Sequence, residues 1–451
     1  MPESNRRQFL AGSARSAAAL YLGGVAGGLI HPRTILGANE RVRFAMIGCG
    51  GRGRYVARGL IEQGAELTAL CDLHEERLDQ MEQFLGELLT RKPKRVKEMR
   101  RIFDDRDVDA VVVATPDHWH ALPTIWACQA GKDVYVEKPH AHSIPESSKM
   151  IEAARKYGRI VQVGTQNRSA PYVLKAREII NSGMLGKIGL VKVYNLKSGQ
   201  PLFLGQTEQP PAGFDWDAWI GPAPMRPYHD KIFSHGWLYF WDFCNGDLSD
   251  DGVHQLDLTL LVLGDPGLPS SASSSGGRLV HQDDAEVPDV QTAHYQFNTF
   301  VLTFEMTNYP RYMQKTTTTI RRNDEFPYWT QNATRVEIYG SEMMMTIGRM
   351  GGGWQVTTSG GKVVDQMYGR PPDHDHYRNF IECVKTRNRP SADIGIAHNA
   401  MNMILQAVIA HKIGNRAVRF DAEQQRFIDD EEANRLLQRP YRKPYELPDT
   451  V

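Results

Sequence analysis

The chain has little cysteine: five residues in 451 (Cys49, Cys71, Cys128, Cys244 and Cys383), none in C-x-x-C spacing. So sparse and odd a set argues against a disulfide framework and a zinc–thiolate centre, and at least one thiol must be free. Net charge is also lacking, since 53 Lys+Arg balance 53 Asp+Glu. A nucleic-acid binder usually carries a basic excess, so no nucleic-acid partner is expected. Long apolar runs are missing too: Ala17 to Ile30 is uncharged, but short and glycine-rich for a membrane span. No metal site is expected. His374-Asp375-His376 looks metal-like, but i and i+2 do not face together on a helix, so it reads as a helix start. What is present, 41% hydrophobic and 24% charged residues, is ordinary for a globular protein with room for two cored domains.

Arg41 to Ile47 reads as a buried strand, and Gly48-Cys49-Gly50-Gly51-Arg52-Gly53 follows it directly. This is G-x-G-x-x-G leading into a helix (Tyr55 to Gln63). The glycines give a tight turn, close backbone approach to a pyrophosphate and close helix–strand packing. The helix start then offers free N–H groups to phosphates. A second strand, Glu66 to Cys71, ends at Asp72, about 20 residues past the glycines, where a ribose 2′-hydroxyl acceptor is expected. An acid there favours NAD; nearby Arg77 leaves NADP open, and Asp72 also reads as a helix cap.

A third strand, Val108 to Ala114, ends in Thr115-Pro116-Asp117-His118-Trp119-His120, at the carboxyl edge where ligands collect. Strand Asp133 to Val136 delivers Glu137-Lys138-Pro139, whose Lys–Pro bond is a candidate for cis. Helices Leu122 to Ala130 and Ile144 to Tyr157 alternate with these strands, and Ile160 to Val163 closes the set. The pattern predicts a doubly wound parallel sheet, an α/β dinucleotide-binding (Rossmann) domain over residues 39–163. The expected cofactor contacts are Gly48, Gly50, Gly51, Arg52, Gly53, Asp72, Thr115, Pro116, His118 and Glu137. Of His118 and His120, one is expected to pack behind the other.

Further on, Asp250-Asp251-Gly252-Val253-His254 places Asp250 and His254 four residues apart. On one helix they would share a face, with Asp257 able to orient the imidazole. A base that takes a hydroxyl proton while a nicotinamide takes hydride is what alcohol oxidation needs. Lys138 could stabilise an alkoxide, and a second cation nearby would lower its pKa. Arg168 and Trp219 are candidate substrate contacts. Arg168 reads equally as a surface salt bridge. Trp237, Tyr239, Phe240, Trp241 and Phe243 read mainly as core.

The glycine loop, Glu137-Lys138-Pro139 and the Asp250–His254 motif, in that order, resemble the Gfo/Idh/MocA family of NAD(P)-dependent oxidoreductases. The resemblance covers most of residues 40 to 420. It implies a C-terminal α+β domain (164–420) with a large open, mostly antiparallel sheet that serves as substrate wall and oligomer interface. It also implies a sugar, sugar-derivative or cyclitol substrate and a homodimer or homotetramer. By resemblance Lys138 polarises or relays the proton, His254 is the acid/base and Asp250 holds substrate hydroxyls. The strand patterns agree: Ile188 to Tyr194 alternates, and Val290–Phe297 with Phe300–Thr307, and Arg335–Tyr339 with Met343–Ile347, read as hairpins. Helices are expected at His374–Lys385 and Ala397–Ile413. Ser198–Gly213 and Asp265–Gly277 read as linkers, and 421–451 as a charged tail. Two other readings stay open: an NAD-dependent glycoside hydrolase working by transient oxidation, elimination, water addition and re-reduction, and a non-catalytic sugar sensor.

Residues 1–38 carry Arg6-Arg7 before Phe9-Leu10 and the uncharged stretch. This resembles a twin-arginine export signal, with cleavage near Ala38. The alternative is an N-terminal anchor or a tail. Export through the twin-arginine translocation machinery to the periplasm is expected. That route carries folded proteins, so a non-dissociable NAD (or NADP) is expected with it.

Overall fold

The computed structural model describes residues 41–451. The paired arginines and the export reading built on them lie outside the described residues.

Six short, mostly apolar strands form a parallel sheet: β1 Arg43–Ile47, β2 Glu66–Cys71, β3 Lys94–Val96, β4 Ala110–Val113, β5 Asp133–Val136 and β6 Val161–Val163. Their order is β3-β2-β1-β4-β5-β6, with the switch point between β1 and β4. In such sheets the crevice outside that point takes the ligand. The strand β3 and helix Glu75–Leu85, absent from the sequence reading, complete the edge beyond β2.

The second sheet has eight strands: β7 Ile188–Lys197, β8 Ser271–Gly277, β9 Val290–Gln296, β10 Val301–Asn308, β11 Arg335–Gly340, β12 Met344–Gly348, β13 Trp354–Thr357 and β14 Val363–Met367. Their order is β14-β13-β12-β11-β7-β10-β9-β8; only β7 and β10 pair in parallel. Both expected hairpins form. Period-two alternation sets the faces: along β10, Leu302, Phe304 and Met306 are buried while Val301, Thr303 and Glu305 are less so. Helix Gly252–Val262, buried along its whole length, lies on the inner face. Gly252 lets it start there, since a Cβ would sit 2.5 Å from the Phe304 ring.

Two segments differ from their sequence reading. The Asp265–Gly277 linker contains the edge strand β8, whose serines hide the period because they are small and polar on both faces. Helix Asp373–Thr386, placed by sequence in the second domain, packs on the first: Tyr377, Phe380 and Val384 join the core around β1 and helix Gly51–Glu62. The charged tail wraps back, with Arg439 on Glu146, Arg442 on Asp217 and Tyr445 edge-on to Trp119.

Candidate active site

The glycine loop divides by role. Gly48 has φ +92°, and a Cβ there would lie 2.5 Å from the Ala114 carbonyl oxygen; at Gly53 it would lie 2.3 Å from the Gly48 carbonyl oxygen. These two glycines serve the turn and the packing. At Gly50 and Gly51 a Cβ would meet nothing within 4 Å. Helix Gly51–Glu62 begins there with no side-chain cap, so its first N–H groups are free for an anion. Asp72, at the end of β2, accepts from the Cys49 N–H at 2.8 Å and the His74 N–H at 2.9 Å. Its carboxylate thus closes the loop and caps the next turn while it lines the same cavity.

That cavity, about 430 Å³, runs from the glycine loop past Asp72, Arg77, Thr115 and Pro116 to Lys138, Trp219, Trp237 and Asp250. The Thr115 hydroxyl is buried without a partner. Open glycines, an uncapped helix start, an orphan hydroxyl and an acid at the end of β2 together fit a dinucleotide. Arg52 also lines this cavity, with its guanidinium held by the Glu137 carboxylate at 2.7 Å and reaching Asp373 at 3.8 Å. Glu137 also accepts the Lys138 N–H. Gly164 leaves room for that carboxylate, which lies 2.9 Å from where a Cβ would be.

Beyond Glu137, the Lys138–Pro139 bond is cis. Lys138 Nζ donates to the Asp250 carboxylate at 2.6 Å and to the Asp250 carbonyl oxygen at 2.9 Å. Burial works to lower the ammonium pKa, but Asp250, with Asp117 and Glu137 behind it, outweighs burial and raises it. This corrects the expectation of a lowered lysine: its nearest charge is an anion. Burial acts to raise the Asp250 pKa, and Lys138 and Lys197 reverse that to a net fall. Burial, then Asp250, pushes the Asp117 carboxyl well up beside the pair.

Asp250 and His254 do not share one helix. Asp247–Asp250 forms a single turn, Asp251 breaks it, and Gly252–Val262 starts anew. The three aspartates diverge onto separate cations: Asp247 onto Lys197, Asp250 onto Lys138, Asp251 onto Arg349 and Lys315. His254 is buried, does not itself line the cavity, and has an unpartnered Nδ1. Burial, then the charges of Arg349 and Lys138, hold its pKa well below the usual imidazole value, so the ring is neutral at pH 7.

Three further expectations are corrected. Arg168 and Asp257 meet each other at 2.7 Å, and Arg168 also holds Asp265 at 2.8 Å. With Arg168 only 3% exposed, its fork is spent inside the core rather than on the cavity, and Asp257 gives one carboxylate oxygen to it. His118 packs against Phe243 and Trp219 with Nε2 on the Trp219 carbonyl; of the two, His120, its ring nitrogens set against the Pro139 and Thr115 carbonyls, is the one on the cavity wall. Trp219 does line the cavity, stacked on Trp216 at 4.5 Å. Trp237, read as core, lines it as well. Lys197, Lys315 and Arg349 were missed. They stand alone in the sequence, and no local spacing ties them to the Asp250 segment.

The comparisons agree with this geometry. Residues 42–165 match a family model described as an oxidoreductase family, NAD-binding Rossmann fold. Residues 171–296 and 356–447 match the C-terminal alpha/beta domain of the same family. A scyllo-inositol 2-dehydrogenase (NAD(+)) of Bacillus subtilis (strain 168) is 34% identical over 36% of this chain and 46% of its own length. A 2,7-anhydro-N-acetylneuraminate hydratase of Mediterraneibacter gnavus is 26% identical over 57% of this chain and 59% of its own. The chain thus spans about half the length of these curated relatives. Among solved structures, a levoglucosan dehydrogenase in complex with NADH and levoglucosan superposes with TM-score 0.62 at 17% identity, covering 84% of this chain and 99% of that one. An aldose-aldose oxidoreductase from Caulobacter crescentus complexed with glycerol does so with TM-score 0.62 at 19%, covering 84% and 100%.

Proposed function

The chain belongs to the Gfo/Idh/MocA family of oxidoreductases, and from that premise we propose that it oxidises a hydroxyl-bearing carbon of a sugar, sugar derivative or cyclitol, or reduces the corresponding carbonyl, with NAD(P). The observation that carries the reading is the Lys138–Asp250 pair on the wall of the cavity that starts at the glycine loop. The bound nicotinamide supplies the hydride acceptor or donor. Lys138, held charged, stabilises negative charge growing on the substrate oxygen. Asp250 fixes that ammonium and offers its second oxygen to a neighbouring hydroxyl. The family resemblance assigns the proton transfer to His254, which is neutral and is not itself part of the cavity lining. Gly50, Gly51, Asp72 and Thr115 bind the cofactor, and Asp72 selects NAD by repelling a 2′-phosphate.

The leader motif supports export by the twin-arginine machinery, with the cofactor carried inside. Replacing Arg6 and Arg7 by lysine should hold the protein in the cytoplasm; unchanged fractionation removes the export reading. The outer face of the second sheet, where Tyr194 and Tyr339 both donate to Glu337, supports assembly as a homodimer or homotetramer. A monomer by light scattering overturns that.

The deciding experiment is to denature the purified protein and assay released nicotinamide nucleotide. Carryover of about one equivalent per chain supports a retained cofactor. The native protein should then form NADH from a sugar or cyclitol panel. A protein that neither carries, binds nor reduces NAD(P) is not the enzyme proposed. The hydratase among its relatives favours a second reading, transient oxidation with elimination and water addition. An aryl glycoside cleaved without added nucleotide or electron acceptor would select it.

A further inference from the structure

The Asp247–Asp251 segment is over-supplied with cations. Asp247 faces Lys197, Asp250 faces Lys138, and Asp251 faces Lys315 and Arg349 together. Arg321, from the short helix Thr318–Arg322, is a fifth. Its Nε is buried without a hydrogen-bond partner, and burial, then the charge of Arg349, lowers its pKa. Arg349 is 7% exposed, and its own Nε is likewise unpartnered. The next carboxylate outward, Asp373, acts on Arg321 across a longer range and reaches Arg52 at 3.8 Å, and neither it nor Asp251 hydrogen-bonds the Arg321 Nε. Arg321, Arg349, Lys315, Lys197 and Lys138 thus gather around Asp247, Asp250 and Asp251; Asp117 and Glu137 also act on Lys138, and burial holds Asp247 toward its neutral form. Uncompensated charge at such depth is costly unless an anion answers it.

The surplus sits beside the proposed chemistry. Lys197 acts directly on Asp250, and Arg349 is the strongest charge acting on His254. Lys315, its side chain 40% exposed, opens the cluster to solvent. Guanidinium forks bind carboxylates and phosphates in plane, and lysines add point charge.

We propose that Arg321, Arg349 and Lys315 form an anion subsite, so that the substrate is a carbohydrate bearing a carboxylate or phosphate group that docks there while its reacting hydroxyl lies at Lys138 and Asp250. This rests on the oxidoreductase reading above and names the substrate class for it.

The test is calorimetric titration of the NAD-loaded protein with methyl β-D-glucuronide, glucose 6-phosphate and uncharged methyl β-D-glucoside. At least one charged probe should bind about tenfold or more tightly than the glucoside at low ionic strength. That advantage should shrink as salt rises. Whichever charged probe wins identifies the group. Arg321→Gln and Lys315→Gln, each checked for an unchanged melting temperature, should remove most of the advantage. Glucoside binding as tightly as both charged probes, no charged probe binding at all, or variants that weaken charged and neutral probes alike would each overturn the subsite. The two readings fail separately. Hydride transfer from neutral sugars without charge preference sinks the subsite and keeps the oxidoreductase. Charged probes that bind without hydride exchange do the reverse.

Discussion

Lys138 and Asp250 stand 112 positions apart in the chain and meet at 2.6 Å, one from the end of β5, the other from a single helical turn of the second domain. The lysine contribution is present below about pH 10.4 and lost as pH rises through its raised folded value. The aspartate contribution is present above about pH 3.9 and lost as pH falls through its lowered value. The pair is thus charged throughout the working range. Asp250→Asn removes the partner that offsets burial, so the Lys138 pKa should drop. Turnover should fall about 100-fold, and its pH profile should gain an alkaline limb below pH 10. An Asp250→Asn enzyme with wild-type rate and a flat alkaline profile would separate the pair from the chemistry.

The glycine loop yields a cleaner contrast. Alanine at Gly53 drives a methyl into the Gly48 carbonyl, and at Gly48 it faces both a backbone clash and a positive φ. Both should lower the melting temperature markedly. Alanine at Gly50 or Gly51 meets only open space. Those proteins should melt as wild type yet bind NAD about tenfold or more weakly, because the methyl occupies the phosphate approach. Thermal melting beside NAD titration tests this; equal effects at all four positions would contradict the division.

The first domain was legible because its signals are local: apolar runs of strand length, glycines at fixed offsets, and motifs at strand ends. The hairpins β9–β10 and β11–β12 showed for the same reason. What escaped depends on neighbours remote in sequence. Serines conceal β8 until β9 supplies its partner. Helix Asp373–Thr386 returns to the first domain because Gly59 leaves space for the Tyr377 ring, 2.2 Å from where a Cβ would be. Arg168 reads as a surface or substrate cation until Asp257 and Asp265 converge on it. The Asp250–His254 spacing suggested one helix face because the sequence carries no proline to mark the break at Asp251, whose ion pairs with Arg349 and Lys315 are remote in the chain.

Arg168 should now behave as a structural residue. Arg168→Ala leaves Asp257 buried and unanswered, and should destabilise the fold by about 3 kcal/mol or more. Denaturant unfolding measures this. A rise in KM at unchanged stability would instead restore the substrate role that the geometry denies it.

The buried histidines predict early acid unfolding. Burial chiefly drives His118, His140 and His376 down to about 3 and His398 to about 4, against 6.5 for a free imidazole. A depressed folded value means the unfolded chain binds more protons, so this contribution is complete above about pH 6.5 and lost as pH falls toward about 3, or about 4 for His398. Carboxylate losses begin lower, near pH 5. Unfolding free energy should therefore decline between pH 6.5 and 5.5. A flat plateau across that interval would mean the rings accept protons in place.

Asp72 carries the cofactor preference, and its substitution must respect its second task. Asp72→Ala would remove the acceptor for the Cys49 and His74 N–H groups along with the charge, mixing loop collapse with selectivity. Asp72→Asn keeps one acceptor oxygen and deletes only the charge that opposes a 2′-phosphate. Arg77 lines the same cavity and lies over the Phe233 ring at 4.1 Å, so a cation is already in place to receive such a phosphate. The Asp72→Asn change should therefore weaken NAD by about tenfold, gain affinity for NADP, and lose that gain when Arg77→Gln is added. Fluorescence titration of both nucleotides against the single and double variants reads the ratio directly. If both cofactors weaken in proportion, Asp72 only shapes the loop and selectivity resides elsewhere in the cavity.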